Sequence, residues 1–266
     1  MYSGLTHAKL HGVVSFNTSK VSVTGMPKGT HAPGSTITAH IKVKNTGVEP
    51  ETYQLDPRTT TQTPYDGVSL ENPSGTLPVT FDDTIPEYVV PPFSSQLKLD
   101  ASTTGSTPIS FDTNPFWGSP DIASPVSTAP GTTSVTVSNP IASPWAIGIN
   151  EVGPPSNLAE PPEDYSTDAT VTTLGFDETA VANTGDVWDN FANNGKETLR
   201  PLFLQPGQSG TMSVKFTVPS GAPGTTVTGV IPVETFNYNS LPQESGVGDW
   251  SSDVLRVLHY SYTLGS

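Results

Sequence analysis

The chain has no cysteine in its 266 residues, which excludes a disulfide framework and every thiolate-based metal, redox or nucleophilic site. It also lacks an apolar run near the ~18 residues of a membrane helix, and its start is neither basic nor apolar, so neither a signal peptide nor a membrane span is expected in it. Charge is sparse, since only 14% of residues are charged, against about a quarter in an ordinary domain. Basic charge is the scarcest part, with 11 Lys and Arg against 25 Asp and Glu and a net charge of -14. A phosphate backbone or an anionic membrane surface is repelled by that balance, so neither is an expected partner.

Uncharged polar residues fill the gap, together with 24 glycines and 27 prolines. Apolar residues recur on every second position in "VSFNTSKVSVTG" (14–25), "STITAHIKVKN" (35–45), "SQLKLDAS" (95–102), "TTSVTVSN" (132–139), "TMSVKFTVP" (211–219) and "TTVTGVIPVETF" (225–236). This period buries one face of a pleated strand and wets the other. In the stretch 206–233, Met212, Val214, Phe216 and Val218 share one face, and Ser213, Lys215 and Thr217 share the other. Pro206-Gly207 and Pro223-Gly224 punctuate it as turns, and the two strands are expected to pair antiparallel. The one helix expected is a turn or two over Asp186–Ala192, before Asn193, Asn194 and Gly195.

Two phrases recur. "APGSTITAHIKVKN" from Ala32 lines up with "APGTTSVTVSN" from Ala129, each followed by an aromatic strand, "ETYQLDP" or "SPWAIGI". "VVPPFSSQLKLDAS" (89–102) parallels "FLQPGQSGTMSVKF" (203–216). Read in order, the repeat predicts an all-β chain of two tandem antiparallel β-sandwiches, immunoglobulin or fibronectin III-like, over residues 1–115 and 116–266. The charge divides with it: residues 1–117 hold 10 acids and 7 bases, and residues 118–266 hold 15 acids and 4 bases. Part of the second unit's acidity lies in a Pro-rich stretch, 151–168, that reads as a solvated loop with a binding or cation-holding role as the alternative.

His7 and His11 form H-x-x-x-H, but Ala8 stands where a zinc protease helix needs Glu. His31 lies in a turn, and His40 and His259 lie in alternating strands, so all three read as structural. Neither G-x-S-x-G nor a phosphate-cradling glycine loop occurs. The neighbouring acids Glu163 and Asp164, and Asp177 and Glu178, read as solvated surface. "DVWDNFANNGKE" from Asp186 imitates a calcium loop but puts Trp188 and Phe191 where an oxygen ligand and a glycine are needed. No catalytic residue and no cofactor is therefore expected; an irregular oxygen site among the second unit's acids would suit Ca²⁺. Trp145, alternating with Ile147 and Ile149, is expected in the core, while Trp188 and Trp250, set among Asp and Ser, are the candidate ligand contacts.

"PVSTAPGTTSVTVSNPIASPWAIGINEVGP" (125–154), "FDETAVANTGDVW" (176–188), the stretch 204–237 and the ending "HYSYTLG" (259–265) together carry a resemblance. They resemble the C-terminal, non-catalytic β-sandwich region of secreted actinobacterial subtilisin-like serine proteases. "VKNTGVEPETYQLDP" in the first unit is similar to the fibronectin type III-like or NEW3-like modules that follow such catalytic domains. The family's catalytic Asp, His and Ser phrases have no counterpart here, and "GTHAPG" lacks the flanking residues of the histidine phrase. The resemblance implies a secreted, non-enzymatic region that supports, positions or extends a protease domain. The alternative of another class is a free-standing extracellular module that binds a cell-surface or matrix polymer such as a glycan.

Overall fold

A computed structural model describes residues 19–67, 69, 73–77, 87–104, 109–115, 122–123, 132–151, 163–184, 200–239 and 249–266. Every regular element among them is a strand. In chain order these are β1 (Ser19–Thr24), β2 (Thr30–His31), β3 (Thr36–Asn45), β4 (Glu51–Leu55), β5 (Arg58–Asp66), β6 (Ser74–Leu77), β7 (Glu87–Val90), β8 (Gln96–Thr103) and β9 (Ile109–Pro115). They continue with β10 (Ile122–Ala123), β11 (Thr132–Ser138), β12 (Ser143–Glu151), β13 (Glu163–Phe176), β14 (Ala180–Ala182), β15 (Leu202–Leu204), β16 (Ser209–Thr217), β17 (Thr226–Asn239) and β18 (Asp249–Leu264). The helix expected over 186–192 lies outside the described residues.

The chain forms two compact units, but not in tandem. Unit 1 comprises Met1–Thr61, Gly175–Asn237 and Ser252–Ser266, and unit 2 comprises Gln62–Leu174 and Tyr238–Ser251. The divisions at 61/62 and 174/175 fall inside β5 and β13. Unit 2 thus consists of two segments set between those of unit 1, with no division at the expected 115/116.

In unit 1, β1, β3, β16 and β14 form one sheet in that order. A second set pairs β15 with β4, β4 and β5 with β17, β17 with β18, and β18 in parallel with β2. Their inner faces share one core, in which Ile41, Met212, Val214, Phe216, Tyr53, Leu55, Ile231, Val233, Tyr260 and Tyr262 are buried. In unit 2, β10, β9, β12 and β7 form one sheet, and β11, β8 and β13 are paired in another, with β6 against β13. Tyr88, Val90, Leu97, Leu99, Val135, Val137, Trp145, Ile147 and Val171 make its core. Trp145 and Ile147 are therefore core as expected, the indole Nε1 donating to the Ile141 carbonyl at 3.0 Å.

The two recurring phrases explain this arrangement. β3, from the first APG phrase, pairs with β16, from the second Pro-turn phrase; β11, from the second APG phrase, pairs with β8, from the first Pro-turn phrase. The same plan then follows in both units. The strand before the Pro turn pairs with the aromatic strand after the APG phrase, β15 with β4 and β7 with β12. That aromatic strand also pairs with the strand after the Pro-turn phrase, β4 with β17 and β12 with β9. Matching details recur: the Asn45 amide donates to the Gln208 carbonyl at 3.0 Å and the Asn139 amide to the Ser95 carbonyl at 2.9 Å. Both Pro turns place the next residue in the left-handed region, Gly207 at φ 80° and Phe93 at φ 64°. A phenylalanine there is a strained choice where glycine is the relaxed one.

The repeat is thus real, and its halves pair crosswise. Period-two patterning states which face of a strand is buried but not which strand lies beside it. Closing a much longer loop adds only a small entropic cost, because that cost grows with the logarithm of length. The same reason overturns a second expectation. Residues 206–233 do form two strands after two Pro-Gly turns, but β16 pairs with β3 and β14 while β17 pairs with β4, β5 and β18. The link between them holds Pro219 and Pro223 and is too long for a tight hairpin. β16 instead takes a nine-residue register along β3, from Ser209↔Lys44 to Thr217↔Thr36.

Charge follows the units more sharply than it follows the halves of the sequence. Unit 1 contains 10 acids and 10 bases, whereas unit 2 contains 15 acids and Lys98 as its one base, so unit 2 carries the whole net charge of -14.

Candidate functional site

Two places in unit 1 gather polar chemistry, one inside and one on the surface. The inner one grows from "YQLDPR", in which Gln54, Asp56 and Arg58 are all fully buried. A buried guanidinium needs a counter-ion and a flat neighbour. Arg58 donates from Nε to Asp56 Oδ1 and lies over the Phe176 ring, with Cζ 3.7 Å from its centroid. Gln54 donates from Nε2 to Glu234 Oε2 at 3.1 Å, Glu234 being its cross-strand neighbour on β17. Asp177, at the end of β13, accepts from the Thr179 amide and hydroxyl through Oδ1, at 2.9 and 2.6 Å, and from the Tyr260 hydroxyl through Oδ2.

Burial of Tyr260, then the charge of Asp177 and the hydrogen bond to it, push the Tyr260 phenol far above the ordinary tyrosine range. It stays protonated in the folded chain and donates to Asp177. Its ring packs on Phe216 at 4.8 Å and beside Tyr262 at 6.5 Å, which gives the aromatic ending "HYSYTLG" its physical role. Gly229 on β17 leaves the slot for it: a Cβ there would meet both the Tyr260 hydroxyl and its ring carbon Cζ and stand 2.6 Å from the Arg58 carbonyl. Gly229→Ala is therefore expected to cost about 1–3 kcal/mol in urea melts. Adding Tyr260→Phe should recover only part of it, since the ring carbon Cζ and the Arg58 carbonyl stay; full recovery would place the clash on the hydroxyl alone.

Desolvation by burial raises Tyr53, Tyr88 and Tyr262 as well as Tyr260. Their folded pKa values lie above the unfolded value of about 10, so the folded form keeps protons that the unfolded chain would release. This contribution is fully present below pH ~10 and is lost as pH rises from there through the folded values. An alkaline titration should show exposed tyrosines ionising first, and these four ionising together with the loss of β circular dichroism. Ionisation of all tyrosines near pH 10 with the dichroism intact would contradict the burial of these phenols.

The outer place is the solvent face of the sheet β1-β3-β16-β14. Alternation turns Lys20, Ser22 and Thr24 of β1, Thr36, Thr38, His40, Lys42 and Lys44 of β3, and Ser209, Thr211, Ser213, Lys215 and Thr217 of β16 outward, with Val181 of β14. Register sets Lys20 opposite Lys44 and Lys44 opposite Ser209, Lys42 between Ser22 and Thr211, His40 between Thr24 and Ser213, and Lys215 between Thr38 and Val181. No Asp or Glu stands on this face of these four strands. The corresponding face of unit 2 differs: Asp100 stands opposite Asp168, and Lys98 donates to Asp100 at 2.6 Å. Burial opposes charge on Asp100, but hydrogen bonds from Lys98 and Ser134 and the Lys98 charge outweigh it and hold that carboxyl below its usual range.

The residues singled out by sequence are distributed as follows. Trp188, His7, His11, the calcium-like loop from Asp186 and residues 152–162 lie outside the described residues, while residues 163–168, expected as the end of the acidic loop, are strand, the start of β13. Trp250 falls in β18, and its side chain is also outside the described residues. His40 and His259 are exposed strand residues, and His31, expected in a turn, is the second residue of β2, its Nε2 2.9 Å from the Lys28 carbonyl and its ring edge-on to Tyr262 at 6.0 Å. Asp177 and Glu178 part company, since Asp177 is buried against Tyr260 and Glu178 is exposed; Asp177 is the correction to the solvated reading of that pair. Among the described residues, no three His, Asp or Glu side chains converge as a metal site.

Sequence reasoning missed Asn45, which is fully buried. Its Nδ2 donates to the Glu49 and Leu204 carbonyls at 2.8 and 3.1 Å, and its Oδ1 accepts from the Gly47 amide at 2.9 Å. The "NTG" after a strand was the available signal, an Asn that bonds its own backbone two residues on.

No family model matches the chain, and no curated protein matches it. Among solved structures it is similar to a family 123 glycoside hydrolase from Clostridium perfringens, at 8% identity and a TM-score of 0.27, over 93% of this chain and 27% of that one. It is also similar to the M60 catalytic domain with the CBM51-1 and CBM51-2 domains of Clostridium perfringens ZmpB, at 8% identity and a TM-score of 0.26, over 92% of this chain and 28% of that one. The chain thus spans little more than a quarter of either protein.

Proposed function

We propose that the chain is a non-catalytic β-sandwich region, immunoglobulin or fibronectin III-like in both units, of a larger secreted subtilisin-like protease, and that it supports, positions or extends the catalytic domain. The observation that carries this reading is the use made of the buried charged groups. Asp56 with Arg58, Glu234 with Gln54, and Asp177 with Tyr260 are paired inside unit 1. Paired charged groups at the heart of a core support a role in holding the fold together. The strand and turn phrases shared with such protease tails supply the partner.

The test compares the full secreted protease with a form cut before this chain. Loss of this region should shorten the half-life of activity at raised temperature or narrow the range of protein substrates, with hydrolysis of a small peptide unchanged. Equal half-life and equal range would sink the idea.

A further inference from the structure

We infer that the outward face of β1, β3 and β16 is a docking surface for an acidic polysaccharide. The inference goes beyond the protease-accessory reading and does not depend on it. The first observation is concentration: Lys20, Lys42, Lys44 and Lys215 project from one face of three adjacent strands, in a chain with 11 basic residues, and no acid is interleaved with them. The second is a cost. Lys20 and Lys44 stand directly opposite each other, and like charges so placed destabilise a sheet. The third is placement, because the face belongs to the unit whose charges balance, not to the unit that carries -14.

The chemistry around the lysines chooses the occupant. Ser22, Thr24, Thr38, Ser209, Thr211 and Ser213 alternate with them in the cross-strand rows, offering hydroxyls beside each positive charge. A protein partner draws its affinity from a desolvated core of aromatic and aliphatic anchors. Here Val181 is the one large apolar side chain turned outward. Single-stranded nucleic acid needs aromatic platforms for its bases, and this face has none. A few exposed ion pairs between compact proteins contribute too little to offset the cost of association. A densely charged linear polymer differs, since binding releases its condensed counterions. Repeated carboxylates or sulfates on a chain of sugars match both the lysines and the hydroxyls.

The experiment titrates the full chain with polygalacturonate, with heparin and with neutral dextran, in low salt (about 20 mM) and in high salt (about 500 mM), where charges are screened within a few ångströms. The expected result is binding of at least one acidic polymer in low salt, its loss in high salt, and no binding of dextran. Preference between carboxylate and sulfate identifies the anion. Lys20→Gln/Lys42→Gln/Lys44→Gln/Lys215→Gln should weaken binding at least about tenfold, whereas Lys98→Gln with Arg200→Gln should leave it unchanged. Thermal melts accompany each variant. Should the fourfold variant lose its cooperative transition, Lys42→Gln/Lys215→Gln gives the same readout with a smaller loss. No binding of either acidic polymer in low salt overturns the proposal. So does binding that the lysine variants do not weaken, equal binding of single-stranded DNA, or self-association through these lysines without polymer binding.

Discussion

Arg58→Ala should lower the stability of unit 1 by about 3–5 kcal/mol, the cost of breaking a buried ion pair from one side. Arg58 and Asp56 are both fully buried, so truncating the arginine leaves a carboxylate in the interior without its guanidinium. The face of Phe176, on which the guanidinium lies at 3.7 Å, is uncovered in the same step. Arg58→Lys should recover little, because an ammonium neither stacks on the ring nor presents the planar fork. Arg58→Met combined with Asp56→Asn should recover much of the loss, since the charge and its counter-charge then leave together. Urea denaturation measures each variant, and an Arg58→Ala midpoint close to the parent's would show that the pair does not hold this sheet.

Phe216→Ala should cost a comparable ~3–5 kcal/mol, through a cavity instead of a charge. Phe216 is fully buried on β16, opposite Ile37 of β3 and 4.8 Å from the Tyr260 ring. Backbone hydrogen bonds run on both sides of it, to β3 and to β14, so the strand cannot shift to fill the space. Phe203→Ala is the contrast. That ring is 57% exposed, and its truncation should stay within about 0.5 kcal/mol of the parent. Equal losses from the two substitutions would mean that β16 does not lie where alternation and register place it.

Much of this architecture is legible in the amino-acid sequence. The run Met212, Val214, Phe216, Val218 announced a buried face, and Pro-Gly pairs announced turns at Gly207 and Gly224, both in the left-handed region. Recurrence of the APG and Pro-turn phrases announced two units of one plan. Partner choice was not legible, because β3 is equally well patterned for either Pro-turn strand and nothing local states that β16 takes the place beside it. The charged interior was hidden for a related reason. Asp56, Arg58 and Glu234 look like surface residues in "YQLDPR" and "PVETF" until Phe176 and Gln54 are set beside them. The lysine face emerges only with register, since Lys215 comes from a strand far along the chain from those of Lys20 and Lys44. Trp188 and Trp250, the sequence's own site candidates, rested on composition, which states what a side chain can bind but not what surrounds it.

The crosswise pairing of the two phrases also dictates an order of assembly. During synthesis β3 is made early, while its partner β16 follows roughly 170 residues later, and domains made from the N-terminus tend to fold as units once complete. β8 and β11 of unit 2 are both finished well before β16 exists. The segment Gln62–Leu174 of unit 2 is therefore able to begin folding first, and β3, which has β1 beside it early, is among the last strands to complete its neighbours. Until then β3 waits with one edge open, and the threonines and lysines along it are the residues that discourage a wrong strand from joining. The side chains that give the finished sheet its charged face thus also guard it while it is half built.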